Sequence, residues 1–155
     1  MDALSVAAES PLSPDLDLLF ARHHEHCHLD TPPESIHMLD RGDLVSHEIT
    51  FLVLRQAGKP IAMAALKAQG NGEAELKSMH VLAESRGSGA SRCLLENLII
   101  LAREQRLGVI RLETGAQDSF TAARALYLKA GFRICPPFGS YIDDPASVFM
   151  ELCLH

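Results

Sequence analysis

The chain has 155 residues, a length that predicts one domain with a core of its own. Hydrophobic residues make up 47% and charged residues 22% of it, the composition of a soluble globular protein. The net charge of −6 argues against a general nucleic-acid binder, and no apolar run approaches the ~18 residues of a membrane span.

The N-terminal residues and the cysteines bear on localisation. Met1 to Leu4 lack the basic segment and the long apolar run of a signal peptide, so we expect a cytoplasmic protein. The 4 cysteines are widely and irregularly spaced, and none forms a CxxC pair. We therefore expect no disulfide framework.

The first half of the chain predicts a strand, a helix and a three-stranded meander. Residues 4–7 predict a short strand. Ser13 and Pro14 resemble a helix start, and the apolar spacing predicts a helix over 15–28, followed by a short second helix ending at Met38. Apolar and β-branched runs over 49–54, 60–67 and 73–82, separated by turns, predict three antiparallel strands.

The second half predicts helices that alternate with strands. We expect helices over 90–106 and 119–130, and strands over 109–113, 132–135 and 147–154. Antiparallel strands followed by a β-α-β-α-β order predict a mixed, mostly antiparallel α/β sheet with helices on both faces. An exposed final strand over 147–154 would be able to pair with its copy in a homodimer.

Four histidines crowd into one predicted helix: His23, His24, His26 and His28. His24 and His28 lie one turn apart and have the spacing of two metal ligands. That is half of a site, because no partner ligand is evident elsewhere in the chain. A solvated, histidine-rich helix face is the preferred interpretation, and we expect no metal.

The unit of strand, loop and helix over 76–106 carries the most informative pattern. Glycines in such a loop let the free amides at a helix start approach an anion, which suits a phosphate or pyrophosphate. The loop has neither the Gly-Lys-Ser/Thr ending of a Walker A motif nor the third glycine of a dinucleotide fingerprint. Basic residues outnumber acidic ones by four over 86–133, which suits a polyanionic ligand.

Three motifs in register resemble the GNAT superfamily of N-acyltransferases. The loop resembles the family pattern Arg/Gln-x-x-Gly-x-Gly/Ala, with Ser91 at the last place. Residues 125–132 are similar to the family's Leu-Tyr-x-x-x-Gly-Phe, and residues 76–81 resemble the strand that leads into the loop. The resemblance covers the chain from about residue 49 to the C-terminus and implies the GNAT acyl-CoA N-acyltransferase fold. Residues 32–37, 138–141 and 144–150 resemble a bacterial branch of uncharacterised acetyltransferases.

The resemblance implies acetyl-CoA as cosubstrate. The pyrophosphate would bind to the loop amides, which belong to six consecutive residues: Arg86, Gly87, Ser88, Gly89, Ala90 and Ser91. Family members splay two parallel strands apart beside a bulge, so the freed backbone of Met79, His80 and Val81 would contact pantetheine. Many members also carry an asparagine at the start of the next helix, where this chain has Gln117 to Phe120 instead.

The resemblance also assigns two catalytic roles. Glu75 resembles the family's general base, with Glu34 and His80 as weaker candidates; the alternative for Glu75 is a solvated strand residue paired with Lys77. Tyr127 resembles the general acid that protonates the departing thiolate; the alternative is a tyrosine that only packs beneath the sheet.

The acceptor pocket of the family would here be formed by residues 23–37 and 136–141. Phe138 and Tyr141 are candidates for its wall, and Arg41 or a histidine for contact with a substrate carboxylate. We expect acetylation of a primary amine of a small molecule or amino-acid-like acceptor. Acetylation of a protein N-terminus or lysine, a non-catalytic acyl-CoA sensor and a metal role for the histidines remain alternatives. Nucleic acid and membrane partners are not expected.

Overall fold

Seven strands form one sheet in the computed structural model, which describes residues 3–154. They are β1 (Leu4–Ala8), β2 (Ile49–Gln56), β3 (Lys59–Gly70), β4 (Glu73–Val81), β5 (Val109–Gly115), β6 (Arg133–Ile134) and β7 (Ser147–Cys153). Their order is β1-β2-β3-β4-β5-β7-β6, and every pair is antiparallel except β4 with β5. The expected mixed α/β class is confirmed. Met1 and Asp2, the first residues of the segment that lacks signal-peptide features, lie outside the described residues.

Three α-helices accompany the sheet: α1 (Asp17–His28), α2 (Ala90–Glu104) and α3 (Thr121–Lys129). Short 3₁₀ turns, Pro14–Leu16 and Asp118–Phe120, lead into α1 and α3. The short helix expected to end at Met38 is wrong: only a 3₁₀ turn, Pro33–Ser35, forms, and Ile36 is already extended. A segment this short cannot offset the cost of helix nucleation. No helix among residues 3–154 has the length and apolar character to cross a membrane.

Helices cover both faces of the sheet. Phe20 of α1 stacks on Phe51 with ring centroids 5.7 Å apart, whereas Gln105, just after α2, donates a hydrogen bond to Thr50. Because adjacent residues of a strand point to opposite faces, α1 and α2 lie on opposite sides of β2. Leucines from both helices, including Leu19 and Leu98, are fully buried against the sheet.

The parallel ladder between β4 and β5 is short. It joins only Glu73 to Val109, Ala74 to Ile110 and Glu75 to Arg111. Against β3, the register of β4 shifts by one residue between Lys77 and His80, and Ser78 adopts a φ of 55°. An extra residue of this kind is a β-bulge, which bends its strand. Beyond Glu75, β4 therefore separates from β5 and leaves a gap in the middle of the sheet.

The final strand does not lie at the edge of the sheet, which corrects the expectation from the sequence. β7 lies between β5 and β6, and β6 pairs with it through Arg133–Glu151 and Ile134–Met150. The amide of Cys135 adds a hydrogen bond to the Phe149 carbonyl at 2.9 Å. The returning segment thus covers the middle of the outer edge of β7, so residues 147–154 are not the exposed edge strand that the sequence led us to expect.

Ser78 provides a test of the bulge. Replacing it with valine puts a β-branched residue at a positive φ, and we expect a loss of about 1–2 kcal/mol in the free energy of unfolding in urea. Ser78→Gly is the matched control, because it also removes the hydroxyl but tolerates the backbone conformation. Equal losses in the two variants would show that backbone strain at this position is not what matters.

Candidate active site

A cavity of about 320 Å³ occupies the gap between β4 and β5. Eight of the site residues identified in the sequence line it: Glu75, Met79, His80, Val81, Arg86, Gly87, Ser91 and Tyr127. The other three, Ser88, Gly89 and Ala90, lie in the same loop but do not line the cavity. One space therefore joins the loop before α2 to the two candidate catalytic residues.

The loop before α2 has the geometry of an anion site. Gly87 and Gly89 adopt φ values of 80° and 84°, and a Cβ atom at either position would meet nothing within 4 Å. Glycine is thus required there by the backbone conformation rather than by crowding. The loop delivers the chain into the first turn of α2 at Ala90, where amides lack partners within the helix and the helix dipole is positive.

Several of the basic residues in this half of the chain form structural contacts. Of the basic residues between positions 86 and 133, only Arg86 lines the cavity. Arg92 and Arg111 form ion pairs with glutamates, and Arg124 donates hydrogen bonds to the carbonyls of Gly115 and Gln117. The local excess of positive charge therefore contributes one side chain to the cavity wall.

The end of β4 presents backbone on the cavity side. Ala62 and Met63 of β3 pair with Val81 and His80, but the parallel ladder on the other side has ended at Glu75. The segment from Met79 to Val81 therefore resembles a sheet edge, which an extended ligand is able to pair with.

Glu75 lies in a buried hydrogen-bond network. Glu75 is only 7% exposed, and Tyr141 Oη donates a hydrogen bond to Glu75 Oε2 at 2.6 Å. Lys77 Nζ donates to the same oxygen at 3.2 Å and to Tyr141 Oη at 3.0 Å, while Gln69 donates to Oε1 at 3.2 Å. Glu75 is thus paired with Lys77, as one interpretation of the sequence expected, but it is not a solvated residue.

Tyr127 is held on α3 with its ring against Phe132, at a centroid distance of 5.6 Å. The residue is 6% exposed, and burial raises the pKa of its phenol, which keeps the hydroxyl protonated. Its ring is part of the core, yet the side chain also lines the cavity. The packing role and a donor role for the hydroxyl are compatible.

The model of the acetyltransferase (GNAT) family matches residues 14–132. The chain belongs to the GNAT family. It is 36% identical to the uncharacterized N-acetyltransferase YedL of Escherichia coli (strain K12), over 91% of this chain and 89% of the relative. It is also 37% identical to an IAA acetyltransferase of Azospirillum brasilense, over 97% of this chain and 98% of that protein.

Solved GNAT structures share the fold. The PaiA N-acetyltransferase of Thermoplasma acidophilum, in complex with coenzyme A, superposes with a TM-score of 0.76 at 18% identity, covering 97% of this chain and 99% of that chain. The GNAT acyl-CoA N-acyltransferase fold expected from the sequence is confirmed. The protein is an acetyl-CoA-dependent acetyltransferase, and the glycine loop before α2 and the strand edge at Met79 to Val81 fit that cosubstrate.

The histidine cluster of this GNAT protein divides between two environments. His23 and His26 line the cavity beside His80, with centroids 5.5 Å and 5.8 Å from the His80 ring. His24 and His28 stack on each other at 4.0 Å on the exposed side of α1. Within residues 3–154, no group of three or more histidine, cysteine or acidic side chains is arranged to hold a metal ion.

Burial keeps the cavity histidines neutral. It lowers the pKa of His23 to about 4 and that of His80 to about 3, and the neighbouring imidazoles act in the same direction. His80 is therefore a poor proton acceptor near neutral pH. Glu34, the other weak candidate for a base, is exposed and does not line the cavity.

Two residues expected in the acceptor pocket lie elsewhere. Arg41 donates to the Pro11 carbonyl at 2.6 Å and to Asp17 at 2.5 Å, and its guanidinium stacks on Phe20. It fixes the start of α1 and is not a cavity residue. Phe138 packs behind Tyr141, at a centroid distance of 5.1 Å, so only Tyr141 reaches the cavity wall.

Glu113 of β5 also lines the cavity but is not among the residues identified from the sequence. The signal that identifies it is strand alternation: Arg111 pairs with Glu75, and Glu113 lies two residues further on the same face. This alternation identifies Glu113 only when the strand that runs parallel to β5 is known.

The two buried histidines predict a stability that depends on pH. Because their pKa values are lower in the folded protein than the ordinary 6.5, the unfolded chain binds more protons below that pH. The stability that the neutral histidines contribute is fully present above pH ~6.5. The free energy of unfolding should fall by about 1 kcal/mol per pH unit for each histidine as the pH drops toward 5. Urea unfolding at pH 7, 6 and 5 measures the slope.

A pair of variants shows whether the buried histidines cause that pH dependence. His23→Gln removes a buried imidazole and should reduce the slope, whereas His28→Gln, on the exposed face and not among the groups that lower either pKa, should leave it unchanged. The account is wrong if the wild-type protein is equally stable at pH 7 and pH 5, or if both variants behave alike.

Proposed function

We propose that the protein transfers the acetyl group of acetyl-CoA to a primary amine of a small molecule, with Glu75 as proton acceptor and Tyr127 as proton donor. The observation that carries this proposal is the single cavity that joins Glu75, Tyr127 and the loop before α2. Acetyl-CoA supplies the acetyl thioester. The two groups proposed to move the protons lie on β4 and on α3.

The proton acceptor acts on the amine. An alkylammonium has a pKa of about 10.4 and has no free electron pair until it is deprotonated. Glu75 takes this proton on its carboxylate, directly or through a water molecule, while Tyr141 and Lys77 hold the carboxylate in place. Of the backbone amides here, those of Met79 and Val81 alternate with the amides directed to β3 and are available to hydrogen-bond the thioester carbonyl.

The proton donor acts on the leaving sulfur. Tyr127 retains its proton because burial raises the pKa of the phenol, so its Oη is ready to donate when the thiolate departs. The amides at the start of α2 and the Arg86 side chain would bind the pyrophosphate. The strand edge over Met79, His80 and Val81 would bind pantetheine.

Hydrogen bonds that hold residues 30–37 beside the Glu75 end of the cavity, the proposed acceptor end, support a small acceptor rather than a protein N-terminus or lysine, which needs an open groove. Ser35 donates to Asp144 at 2.5 Å, and Ser119 donates to Asp30 at 2.6 Å. Lys77 Nζ also donates to the His37 carbonyl at 3.4 Å. These bonds tie residues 30–37, which line part of the cavity, to β4 and to the segments before α3 and β7.

A thiol-release assay over a panel of small amines tests the proposal, with IAA included because of the Azospirillum brasilense relative. Free coenzyme A should appear only when an acceptor is present, and mass spectrometry should detect the acetylated amine. Tight binding of acetyl-CoA without release for any acceptor would overturn the proposal, as would release with peptide acceptors alone.

Tyr127→Phe removes only the proposed proton donor. We expect kcat to fall by roughly 100-fold or more, since general acid catalysis contributes about 10²–10⁴. Binding of coenzyme A, measured by calorimetry, should not change, because the ring still packs against Phe132. Unchanged turnover would remove Tyr127 from the mechanism.

Glu75→Gln removes the proposed proton acceptor and leaves the shape of the side chain. The kcat/KM of the variant should be far below that of the wild type near neutral pH. The difference between the two should narrow as the pH approaches the pKa of the substrate ammonium, about 10.4, because the amine then loses its proton without a base. The pH profile of kcat/KM measures this convergence. A gap that does not change with pH would mean that Glu75 holds the site together but accepts no proton.

A further inference from the structure

The separation of β4 from β5 leaves Lys77 and Glu113 on the two sides of the cavity. Glu75 and Arg111 form the last pair of the parallel ladder, and Lys77 and Glu113 each lie two residues beyond it on the same face. In a continuous ladder they would be neighbours. Both side chains line the cavity instead.

Lys77 forms no ion pair with Glu113, because its ammonium group is directed to other acceptors. An ammonium has three N–H donors. Lys77 Nζ directs its contacts to Glu75 Oε2, Tyr141 Oη and the His37 carbonyl, at 3.2, 3.0 and 3.4 Å. None of the ion pairs formed among residues 3–154 includes Glu113.

A partly buried carboxylate that faces a cavity and forms no ion pair is costly for the protein alone. Burial raises the pKa of Glu113, while the Ser147 hydroxyl and the positive groups of His37 and Lys77 act in the opposite direction. A cationic ligand would offset this cost, because a charged hydrogen bond in a partly buried site is strong.

Resting on the proposed function, we propose that Glu113 binds the ammonium group of the acceptor amine and holds it beside Glu75. Glu113 is then the residue that recognises the acceptor, and Glu75 is the residue that removes its proton. The division follows from their surroundings: Glu75 accepts three hydrogen bonds from protein donors, whereas Glu113 faces the cavity without a cationic partner.

The same charges define the class of acceptor. Two carboxylates, Glu75 and Glu113, flank the acceptor end, and the lysine there is occupied. Arg41, the arginine considered as a partner for a substrate carboxylate, is held at the start of α1 instead. The site should therefore favour a cationic amine without a neighbouring carboxylate, such as an amino-acid amide, over the free amino acid.

Steady-state kinetics of Glu113→Gln tests the inference with matched acceptors, an amino-acid amide and the corresponding amino acid. We expect the KM for the amide to rise about 10- to 100-fold, with little change in kcat or in the KM for acetyl-CoA. The preference for the amide over the amino acid should shrink in the variant. Glu104→Gln, an exposed acid near the end of α2, is the matched control and should behave as wild type.

Other outcomes overturn the assignment. An unchanged KM for the amide in Glu113→Gln would do so, as would a loss of kcat alone with an altered pH profile, which would make Glu113 a proton acceptor. If Glu113→Gln also weakens acetyl-CoA, Glu113→Asp decides: it keeps the charge and should restore part of the amine affinity, and no restoration contradicts the inference. Failure of the proposed function itself would be seen in the wild-type protein, as absence of turnover with every amine.

Discussion

The early end of the parallel ladder between β4 and β5 is the constraint on which the active site depends. The bulge at Ser78 bends β4 away after only three pairs, so the sheet opens where a continuous ladder would have closed it. The opening exposes the backbone of Met79 to Val81 and lets Tyr127 of α3 reach the same space as Glu75. The loop before α2 borders the same space, so the sites proposed for cosubstrate and acceptor share one cavity.

The buried network around Glu75 stabilises the acceptor end of that opening. Placing Glu75 and Lys77 in a largely buried setting is costly, and the cost is offset because Tyr141, Gln69 and the His37 carbonyl satisfy their remaining donors and acceptors. The network also joins β4 to the segments around His37 and Tyr141, which are far apart in the sequence. The proposed chemistry and the shape of the pocket thus rest on the same hydrogen bonds.

Most of the fold could be predicted from the sequence, because periodicity and turn residues are local signals. The strands of the meander, α2, β5 and α3 all appear within a few residues of their expected bounds. The loop glycines are likewise visible as a pattern, since a positive φ and a helix start are local properties. The short helix before Met38 fails because local spacing alone does not offset the cost of nucleation.

The parts of the site that depend on distant contacts could not be predicted in the same way. Tyr141 donates a hydrogen bond to Glu75, which lies 66 positions earlier in the sequence. Arg41 does not line the pocket, because Asp17 and the carbonyl of Pro11 hold its guanidinium at the start of α1. Glu113 becomes visible only once β5 is known to run parallel to β4. The position of β7 inside the sheet depends on two residues of β6, too few to produce a periodic signal.

A crystal structure of the protein with bound coenzyme A would test whether the gap between β4 and β5 is the catalytic centre. The account predicts the pyrophosphate on the amides at the start of α2, pantetheine along Met79 to Val81, and the thiol sulfur beside Tyr127 Oη. Coenzyme A bound outside the gap, or a sulfur remote from the Tyr127 hydroxyl, would contradict it.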